Sequence, residues 1–197
     1  MPRPTTSLEP ASAGATAGKV RGIARLGHAR VSGAVIGGIG GTVFVAANAP
    51  ALPGVWTVLA DVAGAVALAG WCVAVLIRRR RLGPVLRPGR AAGIVYVAGI
   101  VGMLAIMFAG SRHLEATHHE DLQPAVIALA VGVHFLPYAR AFGAPVFGGL
   151  GVALALVGIL GLVIGLAAGG AAASAAAVVA GLILLGGIAR DAVVDAP

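Results

Sequence analysis

Six long apolar runs, separated by short polar segments, constrain this chain more than any other feature of its sequence. A transmembrane helix needs about 17–25 apolar residues to cross the hydrocarbon core of a bilayer, and all the runs but the fourth reach that length without extension. We therefore predict an all-α fold, an integral membrane bundle of six transmembrane helices. The runs cover residues 31–48, 55–77, 91–110, 124–138, 144–166 and 170–188.

The composition excludes an ordinary soluble domain. Only 11% of the 197 residues are charged, whereas about 25% are charged in a typical soluble domain. The net charge of +7 would favour nucleic-acid binding in a soluble protein, but here the basic residues flank apolar runs, as topology signals do. We expect the lipid bilayer as partner and no nucleic acid. Gly, Ala, Val and Arg are abundant, which is typical of high-GC bacterial genomes.

The basic residues also predict the orientation of the chain. With a cytoplasmic N-terminus, 13 of the 14 Lys and Arg residues lie inside and only Arg112 lies outside, which is the asymmetry that the positive-inside rule describes. We predict a multi-pass protein of the bacterial inner (plasma) membrane with both termini cytoplasmic, N-in/C-in. Its regions would be a disordered basic tail (1–28), a six-helix transmembrane domain (29–190) and a short cytoplasmic tail (191–197).

Glycines recur four positions apart in the first and fifth runs. Gly33, Gly37 and Gly41 form one such row, and Gly161 and Gly165 form another. Small residues at this spacing let transmembrane helices approach each other closely. Packing within the bundle explains these rows, and a homo-oligomer through the glycine-rich faces of spans one or five is the alternative.

Asp61 in the second run and His134 in the fourth are the two ionisable residues expected at membrane depth. At 1.5 Å per residue they lie about 9 Å and about 15 Å into their spans. An Asp at the centre of a span costs about 2.5–3.5 kcal/mol on insertion scales, so such residues suggest a function by default. If the second and fourth spans touch, the pair predicts a polar centre for a proton or small solute. The alternative is a local structural hydrogen bond for each residue.

A polar segment between the third and fourth runs is rich in imidazoles and carboxylates. Such groups can hold Zn²⁺ or another borderline divalent ion. The pattern is not H-E-x-x-H, and a solvated loop that joins two spans would explain the same residues. The candidate metal ligands are His113, Glu115, His118, His119, Glu120 and Asp121.

Four consecutive arginines, Arg78, Arg79, Arg80 and Arg81, end the second run. Such a run is typical of a topology signal, and the alternative is binding of anionic lipid headgroups. The sequence contains no Walker loop and no G-x-S-x-G motif. We therefore assign no catalytic residue, expect no cofactor apart from the metal considered for the outer loop, and favour a protein that is not an enzyme.

The segment 132–142 reads GVHFLPYARAF. It resembles the G-x-H-F-x-P-x-A segment in the fourth span of some small, uncharacterised six-span bacterial membrane proteins, a resemblance that implies no activity. Pro137 has no N–H to donate to the carbonyl of Val133. That carbonyl and the imidazole of His134 would form a polar niche for a proton, a cation or a small ligand. A kink that ends the helix is the alternative.

Three functions remain open from the sequence. The first is a structural or accessory membrane protein that binds a partner or lipid, which we favour. The second is a small-solute or proton transporter or sensor with Asp61 and His134 as its polar centre. The third is a metal-dependent membrane enzyme that uses the outer His/Glu loop. The positions of Asp61, His134 and the loop side chains discriminate among them.

Overall fold

A computed structural model describes residues 20–21, 28–80 and 91–194 of the chain. Six α-helices dominate it, and each is long and apolar enough to cross a membrane, which confirms the predicted fold class. Two short 3₁₀ turns, Ala49–Ala51 and Glu120–Leu122, lie between helices. The helices are α1 (Ala29–Asn48), α2 (Val55–Cys72, continued by a π-helical turn Val73–Ile77), α3 (Ala92–Ala116), α4 (Gln123–Ala141), α5 (Pro145–Ala168) and α6 (Gly170–Val193).

Helix α6 lies at the centre of the bundle and α3 lies at its edge. Half of the apolar stretch of α6 is buried, against 22% for α2 and 6% for α3. Helix α6 contacts α1, α2, α4 and α5, whereas the main helical neighbour of α3 is α4. Among the six helices, α2 and α3 therefore have the smallest buried shares.

Successive helices alternate in direction, so the bundle has two ends. We call the end that holds His28, Arg78, Arg140 and Arg190 the proximal end. The opposite, distal end holds the turns near residues 49–54, 117–122 and 169. Two strands, β1 (Val20–Arg21) and β2 (Arg79–Arg80), pair antiparallel next to the proximal end of α2.

Closely approaching glycines hold the helices together. A Cβ added to Gly41 on α1 would lie 2.9 Å from the carbonyl oxygen of Gly181 on α6, and one on Gly158 of α5 would lie 2.5 Å from the backbone nitrogen of Leu129 on α4. Helices in lipid gain little from hydrophobic burial against each other, so this contact between backbones is a main source of their attraction.

The glycine rows predicted from the sequence are covered within the chain. Gly33 faces Phe147, Gly37 faces Ile188 and Gly41 faces α6. Gly161 faces Ala125 and Ala176, and Gly165 faces Leu122. These glycines therefore serve packing within the chain, and a homo-oligomer through spans one or five stays a prediction.

Three predicted boundaries differ from the observed ones. Helix α3 continues through the polar segment to Ala116, with Leu114 buried against the bundle. Helix α6 continues past residue 190 to Val193 because Asp191 pairs with Arg30 on α1 and Ala192 is buried. At the other end, the predicted tail contains β1, and His28 caps α1 by accepting a hydrogen bond from the Arg30 backbone N–H at 3.2 Å. The predicted site residue Arg81 lies outside the described residues.

Candidate functional site

Asp61 lies on the exposed surface of α2. The helix buries its other face, through Ala60, Gly64 and Trp71, and the Trp71 indole N–H donates to the carbonyl oxygen of Ala34 at 3.2 Å. No hydrogen bond or ion pair reaches the Asp61 carboxylate from the residues that the structure describes. Asp61 thus differs from most membrane carboxylates, which face the bundle interior or a water-filled cavity.

Small residues extend from Asp61 along the same exposed surface. Ala65 and Ala69 follow at intervals of four residues, and both are exposed. Residues four apart lie above one another on a helix, so the three form a continuous row, which we call the α2 stripe. Asp61 lies five residues beyond Trp56, or about 7.5 Å along the axis at 1.5 Å per residue. Trp56 is 62% exposed and lies at the distal end of α2, the kind of position at which tryptophans are enriched in membrane proteins.

His134 lies elsewhere, between α4 and α3. Its ring is 6.0 Å from the Tyr96 ring, centroid to centroid, and a Cβ added to Gly99 would lie 3.1 Å from its Nδ1. That Nδ1 is buried and has no hydrogen-bond partner among the described residues. Pro137 follows three residues later and packs over the same glycine.

The structure does not bring Asp61 and His134 into one site. Asp61 is exposed on α2, whereas His134 faces α3. Helix α6 packs against both α2 and α4. Neither residue lines either of the two grooves described below. The expectation that the second and fourth spans could pair these side chains therefore receives no support from the packing.

An aromatic cluster surrounds the proximal half of α4, and the sequence analysis did not identify it. Phe135 and Tyr138 on α4, with Phe142 just past its end, contact Phe147 on α5 and Tyr96 on α3 at centroid distances of 5.2–6.0 Å. The i, i+3, i+7 spacing of Phe135, Tyr138 and Phe142 was the available signal. The cluster fixes α4 between its two neighbours, next to His134.

The six candidate metal ligands in the polar segment between α3 and α4 are all exposed. His113 and Glu115 lie on the last turn of α3, and the Glu115 carboxylate accepts a hydrogen bond from Arg112 at 3.2 Å. The Gln123 side-chain amide donates to the Ser111 hydroxyl at 2.7 Å and ties α4 to α3. Within the described ranges, no three His, Cys, Asp or Glu side chains lie close enough together to hold a metal ion. A metal at this segment stays a prediction.

The arginine run at the proximal end pairs its backbone with the N-terminal segment. Arg79 lies opposite Arg21, and Arg80 lies opposite Val20. Headgroup binding by Arg78, Arg79 and Arg80 stays a prediction.

Comparison with known proteins adds no further constraint. No protein-family model, no curated protein and no solved structure matches the chain. The resemblance of the segment 132–142 to six-span bacterial proteins therefore stays a prediction, and the interpretation of function rests on the geometry of the bundle.

Proposed function

We propose that this chain is a non-catalytic membrane protein that assembles with a transmembrane helix of a different protein through the α2 stripe. One observation supports this most: Asp61 has no partner among the described residues and lies on the exposed surface of an apolar helix, about 7.5 Å along the axis from Trp56. Ala65 and Ala69 continue the surface as small residues, which are the residues that helix–helix contacts in membranes use.

The unfavourable free energy of placing the Asp61 carboxylate in lipid indicates that the partner must supply a hydrogen-bond donor. An ionised carboxylate facing hydrocarbon has lost its water without gaining a donor. A partner helix with an Arg, Lys, His, hydroxyl or amide at the same depth would donate to it. Hydrogen bonds between transmembrane helices contribute about 1–2 kcal/mol in model peptides. The small side chains of Ala65 and Ala69 would let the two backbones approach closely.

A second copy of this chain fits the α2 stripe poorly. In a two-fold dimer with its axis along the membrane normal, each copy presents the same surface to the other. Asp61 would then face Asp61, and two carboxylates in a low dielectric repel strongly. A different protein that offers a donor avoids this repulsion.

We further propose that the protein lies in the bacterial inner membrane with its proximal end in the cytoplasm. The 13 basic residues on that side and the single Arg112 on the other support this orientation. The exposed apolar faces of α2 and α3 would then contact the surrounding bilayer.

A second candidate function, binding of a proton at His134, is favoured by the buried Nδ1, which has no hydrogen-bond partner in the part of the chain that the structure describes. The Val133 carbonyl, to which Pro137 donates no hydrogen bond, lies one residue away in the chain. A neutral imidazole has one ring nitrogen that can accept a proton. If His134 binds a proton, His134→Ala would abolish any property of the protein that changes with pH through this group. Asp61→Leu would leave that property unchanged.

The assembly proposal is tested by comparing complex size and intrinsic stability. Native gels of membranes extracted in mild detergent should show a complex larger than the chain, and both Asp61→Leu and Ala65→Leu should abolish it. The matched control Ala98→Leu, on the exposed face of α3, should not. Purified Asp61→Leu should melt at the same temperature as the native chain or higher, because an uncompensated carboxylate is removed. The proposal is wrong if Asp61→Leu and Ala65→Leu keep the complex, or if the native chain forms none.

A further inference from the structure

Two apolar grooves open on either side of the proximal end of α4. The α3–α4 groove has a volume of about 580 Å³ and is lined by Ala92, Val95 and Pro137, among others. The α4–α5 groove has a volume of about 530 Å³ and includes Gly148 and Val152. Leu136 and Arg140 line both grooves, so one ridge of α4 separates them.

Arg140 forms the polar end of this ridge. It lies in the last turn of α4, one turn nearer the proximal end than Leu136. It is exposed, and no carboxylate within the described part of the chain pairs with it. The start of α3 borders the α3–α4 groove and has no acidic residue in its first turn, so no side chain there offsets its positive end. The rim is therefore positive, and the walls below it are apolar.

We propose that this double groove binds one anionic phospholipid from the proximal leaflet. The Arg140 guanidinium would hold the phosphate, and the two acyl chains would follow the two grooves on either side of Leu136. Charge and shape together identify this ligand: a negative headgroup meets a planar cation that binds phosphate oxygens in pairs, and two apolar tails meet two apolar grooves. This site shares no residue with the α2 stripe, so the two proposals can be tested independently.

Native mass spectrometry of the full-length protein, titrated with dioleoyl phosphatidylglycerol or dioleoyl phosphatidylcholine, tests the site. We expect one tightly held phosphatidylglycerol and weaker binding of phosphatidylcholine. Arg140→Gln should weaken phosphatidylglycerol binding about fivefold, which is the contribution of one basic residue near a membrane surface. Arg140→Lys should lose less affinity than Arg140→Gln, because it keeps the positive charge but not the paired hydrogen bonds. The matched control is Arg190→Gln, an exposed arginine at the proximal end of α6, and it should change nothing.

The tails are tested separately from the headgroup. Gly148→Leu should weaken binding of both lipids by filling the α4–α5 groove, because a Cβ at Gly148 would already lie 3.5 Å from Ala139. Soluble glycerol phosphate should not compete, since it offers no tails. The proposal is overturned by equal affinity for the two lipids, by equal loss in Arg140→Gln and Arg190→Gln, or by full competition from glycerol phosphate. Retained phosphatidylglycerol binding in Gly148→Leu would exclude the two-groove arrangement.

Discussion

Arg30, at the start of α1, and Asp191, near the end of α6, join the two helices by a two-point ion pair. The Arg30 Nε donates to Oδ2 at 3.2 Å, and its Nη2 donates to Oδ1 at 2.5 Å. The two side chains are only 24% and 18% exposed. The pair therefore joins α1 to α6 at the proximal end, whereas the Gly41–Gly181 approach joins the same two helices nearer the middle of the bundle.

Breaking this pair should destabilise the bundle. Arg30→Gln or Asp191→Asn leaves one partly buried charge without its partner, and we expect a loss of about 1–3 kcal/mol. Thermal unfolding of the purified protein measures it. Glu115→Gln is the control, because the Arg112–Glu115 pair is 70% and 53% exposed and should contribute less than about 1 kcal/mol. The interpretation fails if the double exchange Arg30→Asp with Asp191→Arg recovers none of the loss.

Adjacent glycines on α1 should respond oppositely to the same substitution. Gly41→Ala places a methyl group 2.9 Å from the Gly181 carbonyl oxygen, so the helices must separate, at a cost of about 1–3 kcal/mol. Gly40→Ala meets nothing within 4 Å and should be neutral or stabilising by up to about 1 kcal/mol. The free energies of unfolding of the two variants, measured in the same detergent, test this difference. Equal effects would contradict the packing of α1 on α6.

The environment of His134 can be tested through Gly99. Gly99→Ala would bring a methyl group to within 3.1 Å of Nδ1 and should shift the ¹⁵N resonances of the imidazole. Gly102→Ala, on the same helix with nothing within 4 Å, should leave them unchanged. An identical spectrum for both variants would show that His134 does not face α3.

Cysteine labelling tests the orientation of the chain. Cys72 is the single cysteine of the sequence, so Cys72→Ala gives a background without thiols. In that background, Thr117→Cys at the distal end should react with a membrane-impermeant maleimide in intact cells. Arg190→Cys at the proximal end should react only after permeabilisation. The reverse pattern would contradict a cytoplasmic proximal end.

Hydropathy was sufficient to predict the six helices, but it could not predict which side of each helix is covered. Val62 and Val75 belong to the same apolar run, yet Val62 is 57% exposed and Val75 is fully buried. In lipid both surfaces are apolar, so no alternation of polar and apolar residues distinguishes them. The same limitation applies to Asp61 and His134, because their positions along the helices could be predicted from the sequence but the directions of their side chains could not.

Contacts between distant parts of the chain could not be predicted from the sequence either. Arg30 was counted only as a topology charge, because its partner Asp191 lies 161 residues away and beyond the predicted last span. The glycine rows did predict close packing, and the structure shows which helices they serve. The aromatic cluster could have been found from the helical spacing of Phe135, Tyr138 and Phe142.

Site-specific photocrosslinking in native membranes would show whether another protein covers the α2 stripe. A benzophenone amino acid at Val58 lies on the exposed face of α2 beside Asp61, and one at Val163 on α5 is matched to it, because the two positions are 60% and 61% exposed and both lie toward the distal end. We expect one discrete protein adduct from position 58 and none from position 163. We also expect the adduct to be lost in Asp61→Leu. An adduct that survives Asp61→Leu, or crosslinks from position 58 to lipid alone, would contradict it.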